Sequence, residues 1–253
     1  MPRFLKQLAL PTAMYRPARA LYRAINRTQS ERYREVLGFY SKLIDRGSLC
    51  FDVGANIGER TEALLTLGAS VVAFEPQPAC VRELKARCGG YKKHLHLRQT
   101  AVGNERGQAE IYFRRSSGQA SLLRDWQGEP TGEKLTVPVI TLDDAISEFG
   151  VPSYCKIDVE GSELNVLRGL SHPIPLLSLE YHLSEREIGA TYACLTHLSQ
   201  FGELRINLTP LERLHFHFPD WLSCTEFLKI WPKEFKAREG FFYGDLFVQV
   251  TAP

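Results

Sequence analysis

Apolar positions along this chain follow two periods in turn. SLCFDVG, SVVAFEP and IPLLSLEYH are short, dense apolar runs of the kind buried on both faces of a parallel sheet. ERTEALLTLG, PACVRELKARCGG, SELNVLRGL and TYACLTHLSQFG instead place apolar residues at three- and four-residue spacings and end at or near glycine, the mark of amphipathic helices. Ahead of them, SERYREVLGFYSKLIDRG predicts a helix with Ser30 as N-cap, an apolar face of Tyr33, Val36, Leu37, Tyr40 and Leu43, and a stop at Gly47. LHLRQTAVG reads as the third strand. QAEIYFRR and KLTVPVITL then read as an antiparallel excursion around the polar, mobile stretch SSGQASLLRDWQGEPTGE. The alternation resumes with DDAISEFG as a short helix and YCKIDVEG as a strand, and two strands near LRINLT and DLFVQV close the chain. Alternating β and α with apolar strands predicts an α/β, doubly wound, mostly parallel sheet. The expected organisation is an N-terminal basic, helical extension over 1–46 and one Rossmann-like domain over 47–253, carrying a β-hairpin insertion.

The 253 residues suffice for one large core, and a hydrophobic content of 44% with 24% charged residues is ordinary for a globular protein. A net charge of +2 gives no reason to expect nucleic acid as a partner. That balance conceals an asymmetry. Residues 1–30 hold Arg3, Lys6, Arg16, Arg19, Arg23 and Arg27 and no acid, which leaves 25 basic against 29 acidic residues in the rest. Such an arm either lies on an anionic membrane surface or packs Leu5, Leu8, Leu21, Tyr22 and Ile25 on its own domain. The six cysteines form no CxxC pair and no zinc spacing, so a reduced, cytoplasmic protein is expected. No apolar run approaches the roughly 18–20 residues of a membrane span, and the N-terminus lacks the continuous apolar core of a signal peptide.

The candidate chemistry begins at FDVGANIGE. A strand that runs into a glycine loop and opens a helix is a nucleotide device. Gly54 allows a sharp turn and close approach to the backbone, and Gly58 lets the next helix pack tightly. A pyrophosphate cradle calls for GxGxxG, but Asn56 stands where the second glycine would be. Glu75 ends the next strand, 21 residues beyond Gly54, where a carboxylate can accept both ribose hydroxyls. The pattern fits an adenosine ligand without a pyrophosphate, as in S-adenosylmethionine. Asp52 can equally serve as a buried brace for the loop amides.

KIDVEGSE is the second informative stretch. Alternation puts Lys156, Asp158 and Glu160 on one face of what should be a central strand, and burying an unpaired carboxylate costs several kcal/mol. The expected resolution is a wet cleft at the strand's carboxyl end. LLSLEYH ends similarly, with Glu180 and His182 on one face. If the two strands are neighbours, Asp158, Glu160, Glu180 and His182 converge. They could then take a proton from a substrate hydroxyl, contact the substrate, or hold a divalent metal. A salt bridge from Lys156 and a structural role for Glu163 in the following helix are the alternatives.

FDVGANIGE, VVAFEPQP, TAVGNERG, VPVITLDD, CKIDVEGSELNVLRG and LLSLEYH, in this order, resemble the FkbM-type S-adenosylmethionine-dependent methyltransferases from about Tyr40 to His182. The resemblance implies a class I methyltransferase sheet and methyl transfer to a hydroxyl of a sugar, glycan or natural product. It places Asp52, Gly54, Asn56, Gly58 and Glu75 at the cofactor, with Ala101 of TAVGNERG and Asp158 beside them. It also puts Asp158, Glu160 and Gly161 near the transferred methyl. Asp158 is the first candidate for base or positioning residue, with Glu180 and His182 next; Glu160 and His182 are candidate substrate contacts. A nicotinamide-dependent oxidoreductase and a catalytically inactive interaction protein are the rival readings. Residues 210–253 hold ten of the 27 aromatics, among them Phe216, Phe218, Trp221, Trp231, Phe241, Phe242 and Tyr243, available either to stack on sugar rings or to fill a core.

Overall fold

The computed structural model describes residues 31–113, 120–124, 126, 131–211, 213–232 and 243–251. The expectations for the basic arm, the Ser30 cap, Phe241 and Phe242 lie outside these residues. The described chain runs α1 (31–40), β1 (Leu49–Val53), α2 (Glu59–Thr66), β2 (Ser70–Phe74), α3 (Pro78–Cys88), β3 (Leu95–Arg98), β4 (Ala101–Val102), β5 (Gly107–Tyr112) and β6 (Lys134–Ile140). It continues with α4 (Leu142–Phe149), β7 (Tyr154–Ile157), α5 (Glu163–Leu167), β8 (Leu176–His182), α6 (Glu185–Leu198), β9 (Glu203–Pro210), β10 (Leu222–Ser223), α7 (Cys224–Ile230) and β11 (Tyr243–Thr251).

Eight strands form the central sheet in the order β10-β9-β11-β8-β7-β1-β2-β3. Strands β3, β2, β1, β7 and β8 are parallel, and β11 enters antiparallel between β8 and β9. The sheet is therefore mostly parallel and doubly wound. Period-two alternation explains how one strand feeds two cores. Phe51 and Val53 of β1 join Cys155, Ile157, Leu177 and Leu179 on one face. Cys50 points the other way, to Tyr154, Leu176 and Phe247, beneath Val36, Phe39 and Tyr40 of α1 and Leu64 of α2. Thus α1, assigned by sequence to the extension, packs on the same core as the sheet. All six cysteines are free, and Cys50 and Cys155 are fully buried small hydrophobes. Among the described residues, no helix is long and apolar enough to cross a membrane.

Two expectations are corrected. The single third strand LHLRQTAVG divides at Gln99-Thr100, and β4 leaves the main sheet for a second one, β4-β6-β5. Thr100 makes the division, because its Oγ1 donates 2.8 Å to the Pro138 carbonyl of β6. The charged alternation proposed for KIDVEG also stops early. β7 ends at Ile157, and Asp158 to Gly161 form a turn with left-handed Glu160 (φ 56°).

The described C-terminal aromatics mostly fill the core. Phe216 packs edge-on to Phe39 and Phe247, and Trp231 stacks on Phe227 with ring centroids 5.6 Å apart. Half-buried Tyr243 is the exception, since it reaches the cleft described next.

Candidate active site

Strand order reverses at β1, which has β2 on one side and β7 on the other, and ligands of such sheets bind outside the carboxyl ends there. Gly54 turns the chain at φ +81°, and a Cβ on it would lie 1.8 Å from the Asp158 carbonyl oxygen. The glycine is thus required by contact between two loops, and not only by ligand approach as its sequence position suggested. Gly54 and Ala55 both donate to the Phe74 carbonyl at 3.0 Å. Gly58 (φ +83°) sits against Leu84 of α3, where a Cβ would come within 2.7 Å of Cγ, so the close packing expected of it is realised against the neighbouring helix.

Glu75 is 2% exposed, and both its carboxylate oxygens accept backbone hydrogen bonds, from Asn56 N at 2.9 Å and from Gln77 N at 2.7 Å. It pins the glycine loop to β2 while its remaining lone pairs face a slot. Burial raises its pKa above the ordinary carboxylate value, against the lowering by the two amides. Asp52 lines the cleft but braces a helix and not the loop amides: its Oδ2 accepts from Thr61 Oγ1 of α2 at 2.5 Å.

Two cavities meet here. The slot is walled by Phe74, Val102, Ile111 and Leu122, with Glu75, Gln77, Thr100 and Ala101 at its polar edge. Ala120 and Leu122 form its outer wall. The second cavity, a polar chamber of about 320 Å³, is lined by Asp52, Arg60, Lys156, Asp158, Glu180 and Asp245, among others. Gly54, Asn56 and Asp158 border both. The buried Asn56 Oδ1 has no hydrogen-bond partner among the described residues. An orphaned acceptor at the junction of an apolar slot and a polar chamber suits a nucleoside with a charged, donor-bearing arm.

The acidic cluster assembles largely as its sequence positions require. β7 and β8 are neighbours, and one oxygen from each of Asp158, Glu160 and Glu180 lies within 4.8 Å of the others. All three already have partners, Glu180 Oε2 standing 3.1 Å from His182 Nε2. Buried Lys156 pairs Nζ to Asp158 Oδ2 at 2.5 Å, the salt bridge held as an alternative. Burial opposes the Lys156 charge, but Asp158, Asp245 and Asp52 outweigh it and the net shift is upward. Glu160 accepts from Trp126 Nε1 at 2.9 Å. Burial, with Asp158 next in effect, raises both Glu160 and Glu180 above the ordinary carboxylate range. Glu180 in particular is poised to carry a proton, which disfavours it as the base. The cluster has the oxygen donors a hard cation takes, and Lys156 already supplies a positive charge.

His182 sits behind the cluster. It is 5% exposed and lines neither the slot nor the chamber, but its Nε2 lies 3.1 Å from Glu180 Oε2, and both face a small cavity with Glu163, Glu187 and Cys194. Its ring meets Trp126 edge-on at 5.0 Å, and burial lowers its pKa. Its link to the chamber runs through Glu180, which lines both cavities. Glu163 is structural, as expected, but by hydrogen bonding: its Oε1 accepts from Val159 N at 3.1 Å and Gly161 N at 3.2 Å.

Sequence reasoning missed Ser121 and Trp126, both inside the stretch expected to be mobile. Ser121 Oγ donates 2.7 Å to the Glu160 carbonyl, and Trp126 is 1% exposed. The available signal was a lone tryptophan with SLL in an otherwise polar segment, since large apolar groups in a loop usually fold back.

The family model for the methyltransferase FkbM domain matches residues 52–224. A 31-O-demethyl-FK506 methyltransferase FkbM from Streptomyces tacrolimicus is 31% identical over 155 residues, 49% of this chain and 60% of that protein. The matched part thus spans less than two thirds of that relative. A hexuronic acid methyltransferase AglP from Haloferax volcanii is 26% identical over 185 residues, 71% of this chain and 73% of that protein. Among solved structures, precorrin-6y C5,15-methyltransferase from Geobacter metallireducens GS-15 is similar at 12% identity with a TM-score of 0.45, covering 88% of each chain.

Proposed function

Given that the chain belongs to the FkbM methyltransferase family, we propose that it transfers a methyl group from S-adenosylmethionine to a hydroxyl oxygen of a sugar, glycan or natural product. The observation that carries this reading is the meeting of the two cavities at Gly54, Asn56 and Asp158. Glu75 in the slot would hold the ribose and Ala101 would border the adenine. The chamber would take the amino-acid arm and the acceptor. When bound, the cofactor supplies an electrophilic methyl on a sulfonium that leaves as a neutral thioether. No oxyanion needs stabilising, so the protein has to align the acceptor and remove a proton.

Asp158 is the residue for that task. It borders both cavities, its backbone N donates 3.0 Å to Val53 O beside the glycine loop, and Lys156 fixes its carboxylate. Glu160 and Glu180 are the more buried carboxylates of the cluster and frame the acceptor side. The names of the two relatives, one specifying a demethylated oxygen and the other a hexuronic acid, support an oxygen-rich acceptor. Family membership also outweighs the nicotinamide reading. The test is calorimetry with S-adenosylhomocysteine against NAD, followed by transfer of labelled methyl from S-adenosylmethionine to sugars and to their deoxy counterparts. Binding of the nucleoside, with label lost when one hydroxyl is removed, is the expected result. Binding of NAD alone, or label on nitrogen or carbon, defeats the proposal.

A further inference from the structure

Arg60, the second residue of α2, differs from the other cations around the cleft. Lys156 of the same chamber is paired with Asp158 at 2.5 Å. Arg60 is half-buried, lines the chamber, and among the described residues makes no hydrogen bond and no ion pair within 4.0 Å. Asp245 and Asp158 attract its charge from further away. A guanidinium held partly out of water with its fork open is matched in geometry to a carboxylate, which accepts two parallel hydrogen bonds. The charges opposite it narrow the choice of anion. Asp52, Asp158, Glu180 and Asp245 share the chamber and repel a multiply charged phosphate more than a singly charged carboxylate. A ligand with a carboxylate at one end and an ammonium or several hydroxyls at the other satisfies both signs.

We infer that Arg60 is the receptor for a ligand carboxylate in the polar chamber. The inference rests on the cofactor reading of the adjoining slot. Two ligands of that reading can supply the group: the amino-acid end of S-adenosylmethionine, or an acidic sugar acceptor.

The experiment compares wild type with Arg60→Gln, by calorimetry, on S-adenosylhomocysteine and on 5′-methylthioadenosine, which lacks the amino-acid end. D-glucuronate and D-glucose are then titrated into each protein saturated with S-adenosylhomocysteine. If the cofactor supplies the carboxylate, the variant binds S-adenosylhomocysteine about 10- to 100-fold more weakly and 5′-methylthioadenosine unchanged, the loss expected for charge-assisted hydrogen bonds. If the acceptor supplies it, nucleoside binding is unchanged and glucuronate binding falls while glucose does not. Arg60→Lys, which keeps the charge without the fork, should fall between wild type and Arg60→Gln, and serves if the latter fails to fold. Equal affinities for all four ligands in wild type and variant overturn the inference. So does an equal loss for both nucleosides, which marks a purely structural role. Failure of wild type to bind either nucleoside overturns the cofactor reading instead, and glucuronate then decides on Arg60 without nucleoside present.

Discussion

Trp126 occupies the space in front of Gly161: a Cβ on that glycine would stand 2.2 Å from the indole Cε3. The glycine also sits at φ +91°, so two constraints exclude a side chain there. Gly161→Ala should cost about 1–3 kcal/mol through backbone strain and overpacking, and it should unseat the indole that hydrogen-bonds Glu160. Thermal melting should fall by several degrees, and quenching by iodide should show a newly accessible tryptophan. A variant that melts like wild type with unaltered quenching contradicts this contact.

Trp126→Phe separates the hydrogen bond from the packing. The ring that covers Gly161 is largely kept, but the Nε1 donor to Glu160 is lost. Stability should change by about 1 kcal/mol, and Trp126→Ala should cost about 3–5 kcal/mol. Chemical denaturation of the two variants measures the difference.

Glu75→Gln keeps the shape of the side chain but gives up charge and one acceptor. Because that carboxylate also holds Asn56 N and Gln77 N, the loss should appear both in the loop and in the ligand. S-adenosylhomocysteine affinity should drop about tenfold or more, with each charge-assisted bond worth roughly 1.5–3 kcal/mol. Isothermal titration with an unchanged dissociation constant would remove Glu75 from the ribose site.

Asp158→Asn should lower turnover by roughly 10²–10⁴ with little effect on cofactor affinity. It also leaves buried Lys156 without its ion-pair partner, which costs about 3–5 kcal/mol. The double variant Lys156→Met/Asp158→Asn should recover most of that stability and none of the turnover. Recovery of turnover by the double variant would mean that Asp158 acts only as the partner of Lys156.

Glu163 gives a pH test with a definite sign. Burial, followed by the charge of Glu180, raises its carboxyl to about 8 in the folded protein, well above its unfolded value of about 4.3. Its contribution is therefore fully present below about 4.3, is lost progressively as pH rises toward about 8, and is gone above that. Glu163→Gln keeps an oxygen for Val159 N and Gly161 N but cannot ionise. Urea melts should find the two proteins similar near pH 4 and the variant more stable near pH 9. A variant no more stable at high pH contradicts the buried, protonated carboxyl.

The sheet was readable because strands buried on both faces write themselves as dense apolar runs, and glycines at 54, 58 and 68 punctuate them. The convergence of Asp158, Glu160 and Glu180 was readable for a related reason: charges at the ends of two apolar strands have few places to go. Period-two reasoning failed one residue past Ile157, where the chain leaves the strand, but it held for Glu180 and His182, whose side chains meet at 3.1 Å. The failure comes from contacts across 34 residues of sequence, as with Trp126 and Glu160, which no local pattern records. The division at Thr100 was hidden similarly, since its partner Pro138 lies 38 residues on.

The small sheet has an evolutionary consequence. Ala101 and Val102 pair in register with Val139 and Ile140, so the intervening chain leaves and rejoins the fold at adjacent points. Insertions, deletions or wholesale exchange between those points would leave the order of the main sheet intact, while the wall that contributes Ile111, Ala120 and Leu122 to the slot was recut. A lineage could thereby diversify how its catalyst opens and what it admits, without relearning how to fold.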